Sequence, residues 1–382
     1  MPDAMDPIPF NRAPIGPDEL AAATAILSTG RIAGNGRAGE AAEVALSAIH
    51  GGARTLLTTS CSHALELSAL LLELRPGDEV IVPAFTFVTS ASSFLLHGGT
   101  PRLVDVRADT LNLDIDAVEA AIGPRTRAIV AVHYGGIGAT PDALRALADR
   151  HGLALVEDNA HGLGGAWRGQ RLGTFGAMST LSFHETKNVS CGEGGALVLN
   201  DPELVARAEV LREKGTDRSR FLRGQVDKYT WVDIGSSWVL SDLLAAILGA
   251  QLERLEAIQA DRMRVWQRYD AELATWADAH GIRRPHIPVE AEHTAHVYHL
   301  RLPSLAARTR FIDHLAAEGI TAVFHYQSLD RSVVGRGLVG EGETFPVSEE
   351  AGDTLVRLPL FSTMAAAEQD RIIERVLAFD GS

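Results

Sequence analysis

Short apolar runs bounded by turn residues alternate with amphipathic helical stretches through the first two thirds of the chain, and this alternation leaves few folds open. "RTLLTTS" (54–60) reads as a strand and "SHALELSALLLEL" (62–74) as the helix after it. "DEVIVPAF" (78–85), "RLVDV" (102–106) and "RAIVAVHY" (127–134) read as further strands, and "TPDALRALADRHG" (140–152) as a capped helix with a terminal glycine. "LALVEDN" (153–159), "STLSFH" (179–184) and "GALVLN" (195–200) close the series. Strands that are apolar throughout are covered on both faces, so the pattern predicts an α/β protein built on a large, mostly parallel sheet. From about residue 241 the pattern turns long and helical, in "SDLLAAILGAQLERLEAIQADRMRVWQRYDAELATWA". Beyond it, "HVYHLRL" (296–302) and "ITAVFHY" (320–326) read as strands and "SLAARTRFIDHLAAEG" (304–319) as a helix. We therefore expect a large domain over 1–250 and a small α+β domain over 251–382.

Charge and cysteine usage exclude several classes of function. A formal net charge of −14 argues against nucleic acid or an anionic membrane surface as the main partner. Two cysteines, Cys61 and Cys191, make no disulfide framework, which fits a reducing cytoplasm. The N-terminal "MPDAMDPIPFNRAP" has no basic segment followed by an apolar one, so it does not read as a signal peptide. No run is long and apolar enough to span a bilayer, and no metal-ligand spacing stands out.

Ligands of parallel sheets bind at the carboxyl ends of the strands, so those ends were read in turn. The first strand is followed by "TTSCSHALE", where small hydroxyl residues open a helix that could bind a phosphate or simply carry an ordinary N-cap. "PAFTFV" puts aromatics at a strand end, where core packing is the plain alternative. "EDNAHG" puts carboxylates where an apolar strand stops, as caps or as functional groups. "STLSF" leads to Lys187, one of only three lysines (with Lys214 and Lys228) among 35 basic residues. Alone, that lysine could snorkel to solvent. Together, a phosphate cradle, a stacking aromatic, a carboxylate and a lysine are the parts of a pyridoxal 5'-phosphate site. Arginine stays protonated and cannot attack an aldehyde, so a chain that otherwise prefers arginine would keep one lysine here.

The markers "VEDNAHGLGGAWRGQRLGTFG" and "LSFHETKNVSCGEGGALVLND", with Asp158 and Lys187 in step, resemble the DegT/DnrJ/EryC1/StrS sugar aminotransferases of the fold-type I pyridoxal phosphate enzymes. The resemblance runs from "IPFNRAPIGPDEL" to "VRLPLF". It implies that Lys187 bonds the cofactor aldehyde and shuttles the proton, that Asp158 pairs with the pyridine nitrogen, and that His161 sits near the 3-hydroxyl. It further implies that Phe87 stacks on the ring and that Ser60, Cys61 and Ser182 hold the phosphate. Ser237, in "GSSWV", stands where many relatives carry an asparagine that reaches the neighbouring subunit's phosphate. A homodimer with a shared site is implied as well.

"SFHETKN", "REKGTDRSRFLRGQVDKYTW" and "DIGSSWVLSDLLAA" resemble most the branch that aminates C4 of dTDP-4-keto-6-deoxy-D-glucose, with L-glutamate the usual amino donor of the group. Arg218, Arg220, Arg223 and Lys228 could then grip the diphosphate of a dTDP-sugar, with Tyr229 or Trp231 against a ring, or could form a solvated basic loop. His184 and Glu185 would orient sugar hydroxyls. His325 and Tyr326 could reach the site from the small domain or serve its core. Another keto sugar aminated at C3, a cyclitol, or a non-catalytic pyridoxal phosphate sensor are the alternatives. The Ala- and Arg-rich, Lys-poor composition favours an antibiotic or other natural-product sugar pathway over a surface glycan.

Overall fold

The computed structural model describes residues 6–380; the first five residues of the N-terminal stretch considered above lie outside them. Seven strands form the large sheet: β1 (Arg54–Thr58), β2 (Glu79–Pro83), β3 (Thr100–Val104), β4 (Thr126–Val132), β5 (Ala154–Asp158), β6 (Met178–Ser182) and β7 (Gly195–Leu199). Their spatial order is β1-β7-β6-β5-β4-β2-β3, and only β7 runs against the rest. Each expected strand of this series is present, within a residue or two of its apolar run. Helices cover both faces, and the middle strands lose all exposure: Ile81, Val82, Ile129, Val130 and Val156 are 0% exposed. Burying such β-branched side chains on both faces is what holds a parallel sheet together.

The helix Pro141–His151 forms as expected and ends on Gly152, whose φ of 63° lies in the left-handed region that glycine adopts without strain. Its start differs from the expected cap. Thr140 makes no side-chain cap and takes φ 48°, so the first turn rests on Pro141, whose ring already fixes a helical φ. The long helical stretch is two helices, Asp242–Glu253 and Leu255–Ala279, broken at Arg254 (φ −104°, ψ 10°).

The C-terminal part has its own core. Trp276, Tyr269, Phe311, Ile372 and the two-stranded sheet β8 (Tyr298–Arg301) and β9 (Leu355–Leu358) pack together, joined by Ile8 from the far N-terminus. "ITAVFHY" is not a strand of this sheet. It touches only at Ile320, bridged to Ile8, and at Val323, bridged to Arg357. The chain then crosses back to the large sheet, where Leu329 N–H is donated to the Ala84 carbonyl at 2.8 Å. That crossing brings His325 and Tyr326 to the sheet's carboxyl edge. The partner of β8 is β9, from the "VRLPLF" stretch.

Candidate active site

The carboxyl ends of β1, β2, β5 and β6 open on one cavity of about 580 Å³, closed on its other side by residues of the C-terminal part. The sheet supplies Ser60 and Cys61, Phe87 and Ser90, Asp158 and His161, and Ser182, His184 and Lys187; His296, His325, Tyr326 and Arg357 come from the opposite wall. Ten of the residues singled out in the sequence therefore meet in one place.

Alternation along β5 separates the two acids of "ED". Glu157, fully buried, points away from the cavity and accepts N–H groups from Gly173, Phe175 and Gly176 at 2.7–2.8 Å. It also accepts from His133 Nε2 at 2.9 Å. His133 Nδ1 accepts from Ala139 N–H, which leaves the ring proton on Nε2. Burial alone would raise the Glu157 carboxyl; His133 and the backbone donors overcome this and hold it below the usual range. Asp158, one residue on, faces the cavity and accepts from Ser90 Oγ at 2.7 Å. Thr86 Oγ1 lies 2.9 Å from Ser90 Oγ and donates to it, since Ser90's single proton goes to Asp158. The acid toward the ligand is thus aimed by two buried hydroxyls that sequence reading did not find.

Lys187 lies in a tight turn after β6, where its N–H is donated to the His184 carbonyl at 2.9 Å. The following residues pin the turn: Asn188 Nδ2 donates to the Thr294 carbonyl and Ser190 N–H to Gln251 Oε1, both at 2.8 Å. Burial pushes the Lys187 ammonium down to about 8. Cys61 and Asp158 oppose that shift and Arg357 adds to it. Burial also raises the Cys61 thiol well above its ordinary value, so it carries no charge near neutrality, and Asp158 is the group that holds the ammonium up.

At the opposite end, Ser60 caps the helix Cys61–Leu71, its Oγ accepting from His63 N–H at 3.2 Å. First-turn N–H groups of a helix lack intrahelical partners and attract anions. Gly195 of β7 lies so close that a Cβ there would meet Ser60 C at 2.3 Å and Cys61 N at 2.4 Å. Glycine is therefore required for the strand to approach this turn.

Three imidazoles stack across the cavity. His161 stacks on His296 (ring centres 4.1 Å apart) and on His325 (6.0 Å). His161 Nδ1 accepts from Gly135 N–H at 3.3 Å, leaving Nε2–H free to donate. Burial, then the charges of Lys187 and Arg357, keep His161 neutral well below the usual imidazole range. His325 Nδ1 is held by Tyr134 Oη at 2.7 Å. Among the described residues no group of His, Cys, Asp or Glu could hold a metal ion. Nor is any helix among them long and apolar enough to cross a membrane.

The remaining sequence candidates lie outside this cavity. Glu185 is exposed, and its carbonyl accepts from Asn11 Nδ2 at 2.8 Å. Arg218 and Arg223 are tied to Glu213 and Glu209 of their own chain at 2.6 and 2.8 Å. Arg220, Lys228, Tyr229, Trp231 and Ser237 are exposed on the same stretch, Trp231 to 78%. Conversely, Ser90, Thr86, His296 and Arg357 line the cavity and were not anticipated. Arg357 carried a readable signal, a single arginine inside the apolar run "LVRLPLF".

The residues fit pyridoxal 5'-phosphate. A helix N-terminus approached by glycine suits its phosphate, an aimed carboxylate its ring nitrogen, a neutral imidazole N–H its hydroxyl and a partly deprotonated amine its aldehyde. The comparisons agree. The model of the DegT/DnrJ/EryC1/StrS aminotransferase family matches residues 14–377. DesV from S. venezuelae, solved in complex with a ketimine intermediate, is 31% identical over 98% of both chains, with a TM-score of 0.89. Spr1654 from Streptococcus pneumoniae, solved in its PMP form, is 29% identical over 97% of this chain and 98% of its own, TM-score 0.89, and is also known in a PLP form. 3-Amino-5-hydroxybenzoic acid synthase is 29% identical over 97% of this chain and 98% of its own, TM-score 0.87. With fold, cavity and comparisons in accord, this chain belongs to the DegT/DnrJ/EryC1/StrS aminotransferase family and is a pyridoxal phosphate-dependent aminotransferase.

Proposed function

We propose that this enzyme moves an amino group from L-glutamate to C4 of dTDP-4-keto-6-deoxy-D-glucose. The observation that carries the reading is the convergence of Lys187, Asp158 and the Ser60–Cys61 helix start on one cavity of about 580 Å³, room for the cofactor and a hexose together. The bound cofactor supplies the electron sink that lets a proton leave the carbon bearing the amine. Lys187 would bond the cofactor aldehyde as a neutral amine and, once released, carry that proton; its lowered pKa keeps part of it in the neutral form. Asp158, aimed by Ser90, would keep the cofactor's ring nitrogen protonated. His161, with Nε2–H free, would donate to the ring hydroxyl, and Ser60, Cys61 and Ser182 would hold the phosphate.

The exposed stretch around residues 217–237 serves a second copy in this reading. Leu222, Trp231, Val232 and Ile234 are each more than half exposed, an apolar surface suited to burial in a dimer. There Lys228, Tyr229 and Ser237 would complete the partner's site. The sugar assignment draws on the likeness of this stretch and of "SFHETKN" to the C4-aminating branch.

Single-turnover absorbance tests the reading. L-Glutamate should remove the band of the lysine-bound cofactor, dTDP-4-keto-6-deoxyglucose should restore it, and Lys187→Arg should do neither. A band that glutamate removes and this sugar never restores rejects the substrate. Substantial transamination by Lys187→Arg rejects the site.

A further inference from the structure

We propose that His296 accepts a hydrogen bond from the C3 hydroxyl of the keto sugar and so selects the second substrate. The inference rests on the sugar reading above and adds the residue that reads one hydroxyl. The neighbours of His296 fix its tautomer. Gln259 Nε2 donates to the Leu163 carbonyl at 3.2 Å, which leaves Gln259 Oε1 as the acceptor end of that amide. Asn188 Nδ2 spends its two protons on Gln259 Oε1 and the Thr294 carbonyl, both at 2.8 Å. Asn188 Oδ1 can only accept, and it lies 2.8 Å from His296 Nδ1, so the ring proton sits on Nδ1. Burial, and after it the neighbouring His161, Lys187 and Arg262, keep this imidazole neutral well below its usual range. In the neutral ring Nε2 is a bare lone pair, and no donor among the described residues reaches it. The ring is 6% exposed and lines the cavity. A preplaced acceptor with no donor is costly unless a ligand completes it.

Chemistry selects the ligand. Two substrates use the cavity in turn. L-Glutamate brings two carboxylates, which a lone pair repels, and its only N–H donors belong to the amine that meets the cofactor. The keto sugar brings hydroxyls, which donate. A bare acceptor therefore belongs to the sugar half of the reaction. Position selects the hydroxyl. His296 stacks on His161 with ring centres 4.1 Å apart, and His161 is the imidazole whose free Nε2–H is given to the cofactor's ring hydroxyl in the reading above. Through Asn188, His296 is also tied to the turn that carries Lys187 one residue earlier. Its lone pair thus belongs beside the carbon that takes the amine, and the hydroxyl next to that carbon is the one on C3. A site built to satisfy a substrate hydroxyl discriminates against a substrate that lacks it.

The test uses the holoenzyme and two complementary variants, each checked for cofactor absorbance and thermal unfolding. His296→Asn puts an amide N–H where Nδ1 stood, so Asn188 keeps its donor while the lone pair at Nε2 is gone. His296→Gln puts an amide oxygen near Nε2 and gives up the bond to Asn188. Single-turnover rates are measured with L-glutamate and, from the pyridoxamine phosphate form, with dTDP-4-keto-6-deoxy-D-glucose and its 3-deoxy and 2-deoxy analogues. Wild type should prefer the parent sugar to the 3-deoxy analogue on the order of tenfold in the second-order rate constant. His296→Asn should slow the parent sugar by about that factor, leave the 3-deoxy analogue where it was, and keep the glutamate rate within about twofold. Its response to the 2-deoxy analogue should match that of wild type. His296→Gln should recover part of the 3-hydroxyl preference. A 3-hydroxyl preference that survives in His296→Asn overturns the proposal. So does a fall in the glutamate half-reaction as large as that in the sugar half-reaction, which would show a structural role only, or loss of the 2-hydroxyl preference in its place. A wild type that reacts with L-glutamate and never with the parent sugar rejects the sugar assignment and the proposal with it, so the two failures read differently.

Discussion

Lys187 in the cofactor-free protein should titrate near 8, against 10.5 for an ordinary lysine. At pH 7 that makes about a tenth of the amine neutral, compared with about 0.03% for a free lysine, so the neutral fraction is roughly 300-fold larger. The cause is burial, opposed by Asp158, so the perturbation of choice is Asp158→Asn. Removing the carboxylate removes the group that favours the ammonium, and the midpoint should fall further. Arg357→Gln should move it the other way. Trace acylation read by mass spectrometry, peptide by peptide and pH by pH, measures this directly. The chain is suited to the assay, because it has only three lysines and the peptide that carries Lys187 is read without ambiguity. A Lys187 midpoint at or above the ordinary 10.5 would refute the burial argument. An upward shift in Asp158→Asn would refute the role given to its charge.

Ser90→Ala removes a 2.7 Å charge-assisted hydrogen bond to Asp158, worth about 1.5–3 kcal/mol, and should weaken cofactor affinity about tenfold or more in a fluorescence titration; an unchanged affinity would mean Asp158 needs no such aiming. Glu157→Gln leaves buried N–H donors facing an amide and should cost about 3 kcal/mol in denaturant unfolding. A loss under about 1 kcal/mol would show that Glu157 is not the structural acid of the pair.

Reading the sequence found the sheet because each buried strand must be apolar wherever it sits, so the signal is local. It found Lys187 because lysine was rare and because the chemistry demands it. Between the two acids of "ED" periodicity has no preference, since either could face a ligand; the resemblance chose Asp158. "ITAVFHY" has strand composition, yet its backbone pairs with Ile8 at one end and with Arg357 in the middle, and just beyond it Leu329 bonds Ala84, a path set by partners from separate parts of the chain. For the basic stretch, composition leaves a substrate clamp and a solvated loop equally open; in the fold two of its arginines pair with Glu209 and Glu213 of the same chain.

By itself, then, the sequence determined the α/β class, the parallel sheet and the cofactor, and it set Lys187 apart, because these follow from apolar periodicity and from residue types that no other side chain can replace. Tertiary structure alone decided which hydroxyls aim Asp158, that three neutral imidazoles stack across the cavity, and that Arg357 stands there with no acidic partner among the described residues. Such properties belong to pairs of groups distant in the chain, and their energies depend on burial and separation, which only the folded arrangement fixes.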